Sequence, residues 1–134
     1  LFNGKRIIVS RCGEVVIGER HEFYDYDAKY IDPFGMNLKI PAEIEPELEE
    51  KIQRYSVSLF KAIGGWGFSR IDFFVERNTN DIYFCEINTI PGFTSHSLFP
   101  SIFKYSGFDL SKQLKIIIKS ALVRSKKMAL KDTR

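Results

Sequence analysis

The sequence is poor in the residues that staple or span. It holds two cysteines, Cys12 and Cys85, among 134 residues. That count excludes a disulfide framework and favours free thiols in a reducing cytoplasm. With His21 and His96 they match no tight zinc spacing. No apolar run approaches the ~20 residues that cross a bilayer, which argues against a membrane partner. The opening LFNGKRIIVS has no apolar core or cleavage site of a signal peptide. It also has no initiator methionine, which suggests a piece of a longer protein. There is no repeat and no low-complexity stretch. An excess of one charge is nearly missing too: 20 basic against 17 acidic residues leave a net charge of +3. That is too mild to argue for a nucleic-acid partner. Much of the excess sits in the closing RSKKMALKDTR, and residues 125–134 read as a frayed, solvated helix end.

What is present reads as one soluble globular domain: 44% hydrophobic, 28% charged, with twelve Phe and six Tyr. KRIIVS and EVVIG are β-branched runs around Arg11-Cys12-Gly13, so residues 5–18 read as a hairpin. Residues 22–41 follow no period of 2 or 3.6 and carry Pro33, Gly35 and Pro41. A loop that long is commonly a functional lid, and its density of Tyr and Phe argues against disorder. A helix is expected over 45–63, with Pro46 in its first turn, Ile52, Tyr55, Leu59 and Ile63 as the buried stripe, and Gly64-Gly65 as its stop. FSRIDFFVE and DIYFCEIN read as strands joined by the turn-rich Arg77 to Asn80. A closing helix is expected from about 110 to 124, with Leu114, Ile117, Ile118, Ala121 and Leu122 apolar. The order gives an α+β fold, an antiparallel sheet with helices packed on one face.

The strand pair over 67–88 carries the chemistry. If Glu76 and Ile82 flank its turn, Asp72 falls opposite Glu86 and Arg70 opposite Asn88. All four share one face, because side chains two apart point the same way. Ile71, Phe73, Val75, Tyr83, Cys85 and Ile87 fall on the other, apolar face. Opposed carboxylates repel across a sheet. A divalent cation removes the conflict, and Asp72, Glu86 and Asn88 form a hard oxygen half-shell that leaves room for phosphate. Two ions could share Glu86. Arg70 beside them suits an anion formed during reaction. The bland alternative is a solvent-facing acidic pair neutralised by Arg70. In the loop over 89–100, Gly92 permits close backbone approach. Thr94, Ser95 and Ser97 offer hydroxyls ahead of a helix start.

EFYDYDAKY, GFSRIDFF and EINTIPGFTSHSLFP, in this order and spacing, resemble the C-terminal part of the D-alanine–D-alanine ligase family of ATP-grasp enzymes. The resemblance runs from about residue 22 to the closing helix. It implies a C-terminal ATP-grasp lobe, ATP and Mg²⁺ (or Mn²⁺, two ions) as cofactors, and D-alanine as substrate. The implied reaction ligates two D-alanines through an acyl phosphate for peptidoglycan precursor synthesis. Carried over by motif, Asp72, Glu86 and Asn88 are metal ligands. Arg70 and the Gly92 N–H stabilise the tetrahedral oxyanion. Ser97 and the Leu98 N–H hold the second substrate's carboxylate, and Lys29 contacts phosphate from the lid. Tyr30 stands on the acceptor side, where a Tyr is similar to enzymes choosing D-alanine over D-lactate. The family is cytoplasmic, is expected to act as a homodimer, and carries its adenine, ribose and first-substrate contacts upstream. These residues alone are therefore expected to be inactive. The alternative reading is another ATP-grasp carboxylate–amine ligase with a different substrate, which the EIN strand would serve equally well.

Overall fold

The computed structural model describes residues 1–17, 36–94 and 97–132. Most of the expected lid, including Lys29 and Tyr30, lies outside the described residues, as do Ser95 and His96.

The first strand, β1 (Glu14–Ile17), does not pair with KRIIVS. It pairs antiparallel with β2 (Met36–Lys39), from Glu14↔Lys39 to Ile17↔Met36. The expected hairpin over 5–18 is thereby corrected, and the last residues assigned to the loop are a strand. The reason lies earlier in the chain. Asn3 Oδ1 accepts the N–H groups of Lys5 and Arg6, and Gly4 takes a φ of 89°, open to a residue without Cβ. The chain turns there, so Ile7 bridges Phe2 and the Ile8 N–H donates to the Leu1 carbonyl. Residues 10–12 are then held by a helix rather than by a turn. Gln53 Nε2 donates to the Ser10 carbonyl at 2.8 Å. The Glu49 carboxylate accepts from Arg11 Nε at 2.9 Å and from the Cys12 N–H at 2.7 Å.

That helix, α1 (Pro46–Ala62), begins with Pro in its first turn and carries Glu47 and Glu49 where the dipole favours acids. It ends as expected. Gly64, at φ 63°, donates to the Lys61 carbonyl and Gly65 to that of Phe60, a Schellman close. Its buried row is Leu48, Ile52 and Phe60, while Tyr55 and Ile63 are exposed. Ile63 already lies past the last turn, and the row starts one turn earlier than the periodicity suggested.

The remaining elements are β3 (Arg70–Val75), β4 (Ile82–Asn88), α2 (Leu98–Tyr105) and α3 (Leu110–Asp132). The fold is α+β, as expected, and among the described residues its antiparallel strands form two separate two-stranded ribbons, β1–β2 and β3–β4, rather than one sheet. The core gathers Leu1, Phe99 and Phe103, with Ile8, Phe68, Phe93, Phe108, Ile116 and Ile117 packed against them. The rings of Phe99 and Phe103 lie 4.9 Å apart, tilted at 41°.

The closing helix keeps Ile117 of its expected row against the core but leaves much of that row outside it, and it runs on to Asp132. Gln113 and Ser120 are fully buried, while Leu114, Ile118 and Leu122 are exposed. Gln113 Nε2 donates to the carbonyls of Pro100 and Phe108, and Trp66 Nε1 donates to the Ser120 carbonyl at 2.9 Å. These bonds tie α3 to α2 and to Trp66, while the buried Gln113 Oε1 and Ser120 Oγ have no hydrogen-bond partner among the described residues. Among the described residues no helix is long and apolar enough to cross a membrane. Cys12 and Cys85 are both free. Burial, with Glu49 close by, pushes the Cys12 thiol up to about 11.

Burial raises the Glu49 carboxyl, but the hydrogen bonds from Arg11 and the Cys12 N–H outweigh it, and the group sits below its usual 4.5. Its contribution to stability is therefore present above that value and is lost as pH falls through the depressed one. Glu49→Gln should lower unfolding free energy by about 1–2 kcal/mol at neutral pH. In urea titrations the gap to wild type should close as the pH drops below the usual carboxylate value. A gap constant from neutral pH to pH ~3 would contradict the assignment.

Candidate active site

β3 and β4 enclose a turn built by Glu76. Its carboxylate accepts the N–H groups of Asn78 and Thr79, at 2.8 and 2.6 Å. Those bonds, from Thr79 foremost, hold it below the usual carboxylate range. At the turn end Val75 pairs with Ile82, Phe74 with Tyr83 and Phe73 with Phe84. This is one residue out of step with the expected pairing of Glu76 with Ile82. The register then shifts between Asp72 and Phe73, which leaves Cys85 as the extra residue of a bulge. Beyond it Asp72 pairs with Glu86, Ile71 with Ile87 and Arg70 with Asn88. Both site pairs are those expected from the sequence, reached through an offset and its compensation. Tyr83 and Cys85, expected on the apolar face, are exposed, as are Phe74 and Phe84.

Arg70 lies between the two acids. Its Nε donates to both oxygens of Asp72, at 2.9 and 3.0 Å. One terminal nitrogen donates to Asp72 Oδ2 at 2.8 Å and to Glu86 Oε1 at 3.1 Å. One atom thus bridges both carboxylates, with Arg70 only 17% exposed, Asp72 30% and Glu86 43%. Asn88 Oδ1 accepts the Ile90 N–H at 3.1 Å, and an amide oxygen keeps a second lone pair for another partner.

The chain leaves β4 directly into the loop before α2. Phe93 anchors that loop on Phe68 and Phe99, with ring centroids 5.9 and 5.7 Å apart. Ser97 is the residue before the helix, but its hydroxyl makes no cap bond. It accepts the Thr94 N–H at 3.0 Å and meets the Thr94 hydroxyl at 2.9 Å. A Cβ on Gly92 would stand 2.9 Å from Ser97 Oγ, so the glycine makes room for that hydroxyl. Leu98 opens α2, and its N–H belongs to the first turn, where helix N–H groups have no acceptor four residues back. The Thr94–Ser97 partnership was missed in the sequence, although a threonine and a serine three apart before a helix are its signal.

A cleft of about 1020 Å³ is lined by Arg70, Asp72, Glu86 and Leu98 together with Gln53 and Ile52. Asn88, Gly92 and Ser97 are not part of its lining. Among the described residues no three His, Cys, Asp or Glu side chains form a metal cluster. The donors on hand are two carboxylates and an amide, a partial shell of hard oxygens. That set fits Mg²⁺, which typically binds one or two carboxylates together with water and substrate phosphate.

Comparison with known proteins gives a consistent result. The D-ala D-ala ligase C-terminus family matches residues 1–119. The D-alanine–D-alanine ligase of Acetivibrio thermocellus is 42% identical over 117 residues, 87% of this chain and 30% of that protein. That of Caldicellulosiruptor bescii is 39% identical over 94% of this chain and 34% of its own length. Among solved structures, the VanG D-Ala:D-Ser ligase from Enterococcus faecalis superposes with a TM-score of 0.71 at 39% identity, over 85% of this chain and 32% of that one. The Bacillus anthracis D-alanine–D-alanine ligase complexed with ATP gives 0.72 at 30% identity, over 96% and 39%. The chain spans about a third of the length of the relatives it matches. Its motifs, its strand register and these likenesses agree, and the chain belongs to the D-alanine–D-alanine ligase C-terminal family.

Proposed function

We propose that this chain forms the metal-binding and acyl-transfer end of a cytoplasmic, homodimeric enzyme that uses ATP to join two D-alanines for peptidoglycan precursor synthesis. The observation that carries the reading is the Arg70 nitrogen shared by Asp72 and Glu86 at the edge of the cleft. Two acids that meet in this way form a seat for cations. Asp72, Glu86 and Asn88 would hold Mg²⁺ or Mn²⁺, in one or two ions. Ions held there would supply charge neutralisation for the phosphates of ATP.

The chain's own groups account for the rest. Acyl transfer to an amine passes through a tetrahedral oxyanion, and fixed donors aimed at that oxygen lower the barrier. The Arg70 guanidinium and the Gly92 N–H serve as these donors. The second substrate's carboxylate is oriented by the Ser97 hydroxyl and the Leu98 N–H at the start of α2, where the helix dipole favours an anion. Lys29 would contact phosphate and Tyr30 would stand on the acceptor side. A closed lid excludes water from an acyl phosphate that water destroys.

A second reading concerns only the acceptor. A relative at 39% identity is described as a D-Ala:D-Ser ligase, so D-serine is the rival second substrate. Supplying the full-length enzyme with D-alanine and ATP, with and without D-serine, and identifying the dipeptide by mass spectrometry separates the two.

In the full-length enzyme Glu86→Gln should reduce ligation by roughly a thousandfold or more while circular dichroism stays unchanged. Retention of more than about a tenth of the activity at ordinary Mg²⁺ would remove the cation seat from the mechanism. Gly92→Ala would displace Ser97 Oγ. It should raise KM for the second substrate about tenfold, more than it lowers kcat, and an unchanged KM would rule out that role for Ser97. The 134-residue chain by itself is expected to release no dipeptide.

A further inference from the structure

We propose that Thr94 is a positioning residue at the acceptor end of the site: its hydroxyl donates to Ser97 Oγ and so turns the Ser97 proton toward the second substrate's carboxylate. This role rests on the reading of Ser97 above as a contact of that carboxylate, and adds what sets the direction of its proton. Three interactions join the two residues. The Ser97 N–H donates to the Thr94 carbonyl at 3.1 Å, the Thr94 N–H donates to Ser97 Oγ at 3.0 Å, and the two hydroxyl oxygens lie 2.9 Å apart. Between the hydroxyls either oxygen can be the donor, and the two choices have opposite chemistry.

A serine hydroxyl has one proton and two lone pairs. The Thr94 N–H takes one lone pair of Ser97. If Ser97 gave its proton to Thr94 Oγ1, it would meet a carboxylate with its remaining lone pair, and the two would repel. If Thr94 is the donor, both lone pairs are filled and the proton is what Ser97 has left to offer. An ionised carboxylate only accepts, so it selects the second arrangement. Each bond donated into Ser97 Oγ also polarises the O–H that leaves it and strengthens the outgoing bond. The residue at position 92 fits the same arrangement, since a Cβ there would stand 2.9 Å from Ser97 Oγ and press on the shared oxygen.

Steady-state kinetics of the full-length enzyme, with D-alanine titrated to resolve its two binding events, test this role. Thr94→Val keeps the backbone N–H and the size of the side chain but has no hydroxyl. It should raise KM for the second D-alanine about fivefold and leave kcat within about twofold. Thr94→Ser restores the hydroxyl and should return KM to within about twofold of wild type. Ser97→Ala should raise the same KM about tenfold, and adding Thr94→Val to it should change nothing more, because the pair acts as one unit. An unchanged KM in Thr94→Val overturns the proposal. So does a Thr94→Ser enzyme as impaired as Thr94→Val, or a double variant in which the two effects multiply in full, since a merely displaced loop gives those results. Thr94 is exposed, so the circular dichroism of Thr94→Val should match wild type, and a lost fold would make the residue structural and overturn the proposal too. Ser97→Ala separates the two levels of failure. An unmoved KM there removes the carboxylate contact and this proposal with it, whereas a raised KM there beside a wild-type KM in Thr94→Val removes the role of Thr94 alone.

Discussion

Asp72 and Glu86 lie directly opposite each other across a two-stranded ribbon, and like charges in that position repel. The chain resolves this conflict locally with Arg70, which reaches both acids from the same face and is largely withdrawn from solvent. The neighbouring parts of the site serve this arrangement. The bulge at Cys85 brings the two acids level, Asn88 closes the strand with a bond to the Ile90 N–H, and Phe93 ties the following loop to the aromatic core. A site that depends on opposed charges needs a rigid frame, because a small separation of the strands would free each acid to face water separately.

Much of this frame is legible in the sequence. Pro46 ahead of a periodic run and Gly64-Gly65 after it bracket α1 to within a residue, because capping chemistry is local. The alternation of RIDFFV and IYFCEIN marks two strands for the same reason. Pairings between distant segments are less legible. KRIIVS has the composition of a strand, yet the turn at Asn3 and Gly4 commits it to residues 1 and 2, and β1 finds its partner in the Met36–Lys39 segment instead. Nothing in the composition of MNLK signals a strand.

Helix facing is the other blind spot. Only part of the apolar row expected in the closing helix is buried: Ile117 packs on the core, while Leu114, Ile118 and Leu122 are exposed and Gln113 bonds the carbonyls of Pro100, in the first turn of α2, and Phe108, beyond its end. Hydrophobic periodicity sees apolar side chains only, whereas this helix is also tied down through an amide and a serine carbonyl. The pairing of Arg70 with Asn88 and of Asp72 with Glu86 was legible, since it follows from the simplest register. The direct grip of Arg70 on both acids was foreshadowed only as neutralisation, and the tie between Thr94 and Ser97 was not foreseen. Both depend on side-chain rotamers, which residue spacing does not encode.

The bulge works as a slip joint between two halves of one ribbon. On its far side the strands follow the turn, and on its near side they follow the acids, with a one-residue offset absorbed at Cys85. The length and chemistry of the connection between Val75 and Ile82 are thus mechanically uncoupled from the end that carries Asp72 and Glu86. A change in the length of that connection would leave Asp72 opposite Glu86, provided that whatever offset it introduces is taken up before Glu86.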